Sequence, residues 1–180
     1  MKNPFQTNLS IIEIIKPWTA SIILLPLIVY LIQNDGRIIL IDYINLLIHE
    51  GGHGIFKVFG KFIYALGGTL TQILIPGMFI VFYFIKKNRI PAQIALIWLG
   101  QNLINISIYA SDARAQRLPL LGGKKVYHDW TYLLRETGLL NYDQEVGLFF
   151  YSLAISAFII SMLLPLLIKN YKPAKIDLDL

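Results

Sequence analysis

The chain has 180 residues, 56% of them hydrophobic and only 15% charged, with a mean hydropathy of +0.58 and a formal net charge of +5. Soluble domains carry about 25% charged residues, so this composition excludes an ordinary soluble domain and points to a membrane protein. There is no cysteine, which excludes disulfides and thiolate metal sites and leaves His, Asp and Glu to hold any metal.

The chain opens "MKNPFQTNLSIIEIIKPW", where Glu13 interrupts the apolar run and no basic-to-apolar-to-small progression occurs. A cleavable signal peptide is therefore not expected. Residues 1–17 read as an interfacial segment, with a short helix over 5–16. Five apolar blocks follow, at 18–33, 38–59, 68–85, 90–111 and 146–168. A spanning helix needs about 20 mostly apolar residues. The first block is short and holds Pro26, which predicts a tilt, a kink or partial insertion. The expected fold is all-α: a polytopic bundle of about five transmembrane helices with short loops. It forms one domain over 1–180, with the bundle at 18–168 and a polar tail at 169–180. No internal repeat stands out.

Five crossings would divide the 16 Lys and Arg nine to seven. Two before the first block, two at and just beyond the end of the second (Lys57 and Lys61), and five between the fourth and fifth make nine; one, three and three make seven. This places the N-terminus on the cytoplasmic side. The basic residues sit at block ends rather than in one patch, which predicts contact with anionic lipid and no nucleic-acid partner.

The second block contains "LLIHEGGHGIFKVFG", residues 46–60. Its "HEGGH" fits His-Glu-x-x-His. On a helix His49 and His53 stand at i and i+4, so both imidazoles leave one face and can hold one metal ion, with Glu50 beside them as general base. Zinc suits these ligands and keeps an open position for water. The chain has three His and four Glu (13, 50, 136 and 145), so a chance match is on the order of one in a thousand. Ionisable groups inside a spanning segment are costly and mark function by default. The plain alternative is that both histidines are hydrogen-bonded core residues. Gly51, Gly52 and Gly54 suit close helix approach or room for a substrate backbone. Asp42 precedes His49 by two helical turns, roughly 10 Å along the axis, too far to share a metal. Asn45 lies within hydrogen-bonding range of His49, or packs.

The third block opens "LGGTLTQILIPG", residues 66–77. With "HEGGH" before it, this resembles the site-2 protease class of intramembrane zinc metalloproteases, in particular its small bacterial members without added soluble domains. It is similar to the Gly-Pro-rich stretch ending in Asn that follows the zinc helix in that class, with Gln72 standing where the Asn would be. The resemblance implies one Zn2+ per chain, a bacterial cytoplasmic membrane location, and a third ligand from an Asp in a Leu-Asp-Gly motif on a later helix. That motif is absent here. The nearest match is "YASDARAQRLPLLGG", which offers Asp112 followed by Ala113. Asp112 has support from its own spacing. Gln101, Asn105 and Asp112 stand at i, i+4 and i+11, one helical face that should turn into the bundle. If the second and fourth blocks run parallel, His53 and Asp112 differ in depth by about 5 Å. Asp112 also has an ordinary alternative, pairing with Arg114 or Arg117.

The competitors lie in "KKVYHDWTYLL", residues 124–134. His128 or Asp129 is the alternative third ligand, although an N-cap is the common role of an Asp there, here for a helix through Leu134. The aromatic series Phe79, Phe82, Tyr83 and Phe84 reads as lipid-facing or packing surface. "NYDQEVG" starts the last helix with acids suited to its first turn.

Together these features predict an intramembrane zinc-dependent endopeptidase acting on membrane-embedded or membrane-proximal segments of a transmembrane protein substrate. Glu50 is the catalytic base and His49, His53 and Asp112 are the metal ligands. Asn45, Gln72, Gln101, Asn102 and Asn105 are placed to contact substrate or orient ligands, with Asn102 or Asn105 donating to the oxyanion. The competing reading is a catalytically inactive membrane binding or regulatory protein that keeps the zinc-site fold. Metal transport ranks below both, since transport favours repeated halves.

Overall fold

In the computed structural model the described residues are 15–119 and 127–168, and all of their regular structure is helical. Six α-helices follow in chain order: α1 (Thr19–Gln33, led by a 3-10 turn over Lys16–Trp18), α2 (Ile39–Phe56), α3 (Lys61–Ile85), α4 (Arg89–Ser111), α5 (Asp129–Glu136) and α6 (Asp143–Leu167, led by a 3-10 turn over Leu140–Tyr142). The expectations for residues 5–14 and 169–180 lie outside the described residues.

Among the described residues, four helices are long and apolar enough to cross a membrane: Lys16–Gln33, Lys61–Ile85, Arg89–Ser111 and Leu140–Leu167. This corrects the expected five. The helix that drops out is α2, which carries the motif. Its 18 residues include Asp42, Asn45, His49, Glu50 and His53, and that polarity lowers its hydropathy below that of a spanning segment. The nine-to-seven division of basic residues presumed five crossings and no longer follows. The third helix also starts earlier than the apolar block, at Lys61 rather than 68. Gly67 and Gly68 lie inside it because its first half packs against α2.

Side-chain partners give the helix directions. Thr71 meets Ile48, and His53 meets Tyr64. Partner numbers on α3 fall as those on α2 rise, so the two helices are antiparallel. Gln72 meets Asn102 and Phe79 meets Trp98, so α3 and α4 are antiparallel as well. Consequently α2 and α4 run in the same sense, as the depth comparison required. Ser107 donates to Gly147 O at 2.7 Å, and Ser161 donates to Gln93 O at 3.0 Å, which sets α6 antiparallel to α4.

The apolar core sits between α4 and α6 and takes in Ile104, Ile106, Ala154 and Phe158, closed by Ile28 and Leu31 of α1 and by Trp130, Leu133 and Leu134 of α5. Polar groups staple α1 to this pair: Gln93 Nε2 donates to Ser21 Oγ at 2.8 Å, and Ser21 Oγ donates to Met162 O at 3.0 Å. In an apolar surround such groups must satisfy one another. Phe79, Phe82 and Phe84 face outward.

α2 and α3 approach closely at Gly52 and Gly67. A Cβ on Gly52 would meet Thr71 Oγ1 and the Gly67 carbonyl, and one on Gly67 would stand 2.8 Å from Gly52 O. Small residues allow such backbone contact between helices. The contact brings the histidine face of α2 against α3.

Candidate metal centre

His49 and His53 are buried, each 7% exposed, and their Nε2 atoms lie 3.1 Å apart. Asp129 Oδ2 stands 3.2 Å from His49 Nε2 and 3.3 Å from His53 Nε2. The three atoms form a nearly equilateral triangle. The group His49, His53 and Asp129 could hold a metal ion by its ligand types and spacing.

Hydrogen bonds on the far side of each ring decide what the triangle presents. His53 Nδ1 lies 2.7 Å from the Tyr64 carbonyl. A carbonyl only accepts, so Nδ1 carries the proton and Nε2 turns a lone pair inward. His49 Nδ1 faces Gln72 Oε1 at 2.9 Å, with the same result. Two imidazole lone pairs and a carboxylate oxygen thus converge at 3.1–3.3 Å, three acceptors with no donor among them. That arrangement is repulsive unless a cation or shared protons sit between them. A tetrahedral zinc with bonds of about 2.0 Å separates its ligand atoms by roughly 3.3 Å, which the triangle matches. The outward Nδ1–H bonds to an amide and a carbonyl are those that orient metal-binding histidines.

Asp129 reaches this point because α5 is docked by its other residues. Trp130 packs on Phe150 with ring centroids 5.3 Å apart, and Thr131 Oγ1 donates to the Ala113 carbonyl. The N-cap is His128, whose Nδ1 accepts from Thr131 N at 3.2 Å. Capping was expected of Asp129. Because His128 takes it, the Asp129 carboxylate is free to face the histidines. Burial pushes the Asp129 carboxyl upward, but when the imidazoles of His49 and His53 are protonated their hydrogen bonds and charge outweigh it and hold the group at about 2. Burial lowers the His128 imidazole, consistent with a neutral ring that accepts at Nδ1.

The structure places Asp112 outside this cluster. It is the C-cap of α4. Its carboxylate accepts from Arg117 N and Leu118 N, both at 2.9 Å, and its nearest imidazole is that of His128 at 3.5 Å. His128 likewise lies outside the cluster, since its Nδ1 caps α5 and its Nε2 faces Asp112.

The amides sort differently from expectation. Gln72 bonds His49 directly. Asn45 does not, and pairs instead with Gln101, Trp98 and Asn102. Asn102 is 1% exposed and enclosed by these partners, so it cannot donate to an oxyanion. Asn105 lines the open cavity beside Asp42. Tyr109 was missed. Its hydroxyl donates to Asp129 Oδ2 and accepts from Asp129 N, both at 3.2 Å. The signal was available: Tyr109 continues the i+4 series from Gln101 through Asn105.

A cavity of about 650 Å3 lies over the triangle, walled by α2 residues from Asp42 to His53, by Asn105 and Tyr109 of α4, and by Leu118 and Tyr127. Glu50 is exposed within it. Asp42 to His53 is eleven residues, roughly 16 Å of helix, enough for about five residues of extended chain. No protein-family model matches the chain, and no curated protein or solved structure matches it either.

Proposed function

We propose that the protein is a membrane-embedded zinc-dependent endopeptidase of the site-2 protease type, with His49, His53 and Asp129 as ligands and Glu50 as base. The observation that carries this reading is the triangle of three acceptor atoms at 3.1–3.3 Å beneath a cavity lined by Glu50. The four apolar helices support a membrane location, and the resemblance around "HEGGH" supports a bacterial cytoplasmic membrane. The donor set of two imidazoles and one carboxylate also serves iron(II). The glutamate directly after the first histidine favours hydrolysis.

A bound zinc ion supplies Lewis acidity toward the scissile carbonyl and toward water. The chain's residues do the rest. Glu50 takes a proton from the attacking water and returns it to the amine leaving group. His49 and His53 keep their Nδ1 protons on Gln72 and Tyr64 throughout. Tyr109 holds the Asp129 carboxylate in place. The groove along α2 receives the substrate as an extended segment, because a helix withholds its carbonyls from attack. The site lies near the Gly60 turn that joins α2 to α3, so peptide bonds near a membrane face are the ones within reach.

Glu50→Gln tests the reading. The variant is expected to keep its zinc and its helical fold and to lose turnover of a transmembrane reporter by at least about 100-fold. Unchanged cleavage in Glu50→Gln would overturn the peptidase assignment. Zinc in a wild type that cleaves no membrane reporter would favour the non-catalytic binding protein.

A further inference from the structure

Behind His49 lies a run of buried amides. Gln72 Nε2 donates to Asn102 Oδ1 at 3.3 Å. Asn102 Nδ2 donates to Asn45 Oδ1 at 3.3 Å and to the Trp98 carbonyl at 3.0 Å. Asn45 Nδ2 donates to Gln101 Oε1 at 2.6 Å, and Gln101 Nε2 donates to Gly36 O at 3.0 Å and Asp42 Oδ1 at 2.7 Å. Asn45, Gln101 and Asn102 are at most 2% exposed. None of them touches a ligand atom.

An amide can present either end, and a run of amides has no inherent direction. This one is fixed by groups with a single role. Trp98 Nε1–H can only donate, and it donates to Asn45 Oδ1 at 2.8 Å. The Trp98 and Gly36 carbonyls and the Asp42 carboxylate can only accept. Asn45 must therefore offer its NH2 to Gln101, and Gln101 must offer its own to Gly36 and Asp42. The Trp98 carbonyl takes the NH2 of Asn102, which leaves Asn102 Oδ1 for Gln72 Nε2. Gln72 then has only Oε1 to show to His49. Reversing any member would set like groups together in a buried site, each mismatch leaving polar groups unsatisfied.

We infer that Asn102, and through it the Asn45–Gln101 amides, are positioning residues that fix His49 as the Nδ1–H tautomer and so aim its Nε2 lone pair into the metal centre. This rests on the metal-site reading for its purpose, but the tautomer can be measured with or without metal. Gln72 is the last member of the run.

The test uses the full chain in detergent and four variants: Gln72→Leu, Gln72→Glu, Asn102→Leu and Asn102→Asp. Zinc affinity is measured by competition with a chromophoric chelator. The protonation of His49 Nδ1 is read from 15N spectra of histidine-labelled protein, where the three histidines keep assignment tractable. Both leucine variants are expected to bind zinc about 10- to 100-fold more weakly. Gln72→Glu keeps an acceptor toward His49 and Asn102→Asp keeps one toward Gln72, but each sets a carboxylate oxygen against acceptors, Asn102 Oδ1 in the first and Asn45 Oδ1 with the Trp98 carbonyl in the second, so both should also bind zinc more weakly than wild type. Wild-type His49 should show a protonated Nδ1 before and after zinc removal. An unprotonated Nδ1 in wild type overturns the inference even if every variant misfolds. So does a folded Asn102→Leu that binds zinc as wild type does. Absence of zinc from wild type would instead count against the metal reading, and the 15N result would still decide the tautomer.

Discussion

Gly68 lies against the face of the His49 imidazole. A Cβ on that glycine would stand 2.5 Å from the His49 Cε1, closer than any packed carbon tolerates. The His49 ring reaches the triangle only because α3 is bare there. Gly68→Ala is expected to push the ring off the triangle and lower zinc affinity by about 10-fold or more with little loss of helix. Gly52→Ala is the contrasting case. Its Cβ would strike the Gly67 backbone, so it should destabilise the α2–α3 contact by about 1–3 kcal/mol and lower the melting temperature in detergent. Zinc competition and thermal melts separate the two effects.

Tyr109→Phe removes one hydroxyl that both donates to and accepts from Asp129. Its net effect on stability is about 1 kcal/mol. Its effect on zinc should be larger, about 10- to 100-fold in affinity, because Asp129 comes from a short surface helix and has no other side-chain anchor outside the histidine pair among the described residues. An unchanged zinc affinity in Tyr109→Phe would mean that docking of α5 alone positions the carboxylate.

The pH dependence has a definite sign. The Asp129 carboxyl is held at about 2, below its ordinary value of 3.8. In the metal-free protein it therefore adds stability that is fully present above about pH 4 and is lost as pH falls toward 2. Metal binding should not follow that window. The carboxylate is already ionised at all milder pH values, and metal binding requires imidazoles with free lone pairs. Zinc retention in a buffered-metal titration is expected to fail well above pH 4, before the carboxylate takes up a proton. Retention that held down to about pH 4 and then failed would point to the carboxylate as the controlling group.

Much of this site is legible in the sequence. His49 and His53 follow from i, i+4 spacing inside an apolar block, and Glu50 follows from its neighbours. The inward stripe of Gln101 and Asn105 follows from helical period, and extending it by one turn finds Tyr109. The third member of the cluster is less legible, because a contact between residues 49 and 129 depends on docking rather than on period. Two carboxylates, Asp112 and Asp129, each stand at the end of a helix, and either can cap. The choice is made by details that no spacing carries. Asp112 falls one residue beyond α4, where backbone amides of 117 and 118 claim it. His128 supplies the cap that frees Asp129. The count of spanning helices failed for a related reason: the polar residues of the motif are the ones that make α2 too polar to resemble a span.

Elemental analysis of the detergent-purified protein tests the central claim most directly, comparing wild type with His49→Ala, Asp129→Ala and Asp112→Ala. About one zinc per chain is expected in wild type and in Asp112→Ala, and none in His49→Ala or Asp129→Ala. Zinc lost with Asp112 but kept with Asp129, or no metal in wild type after reloading, would contradict that claim.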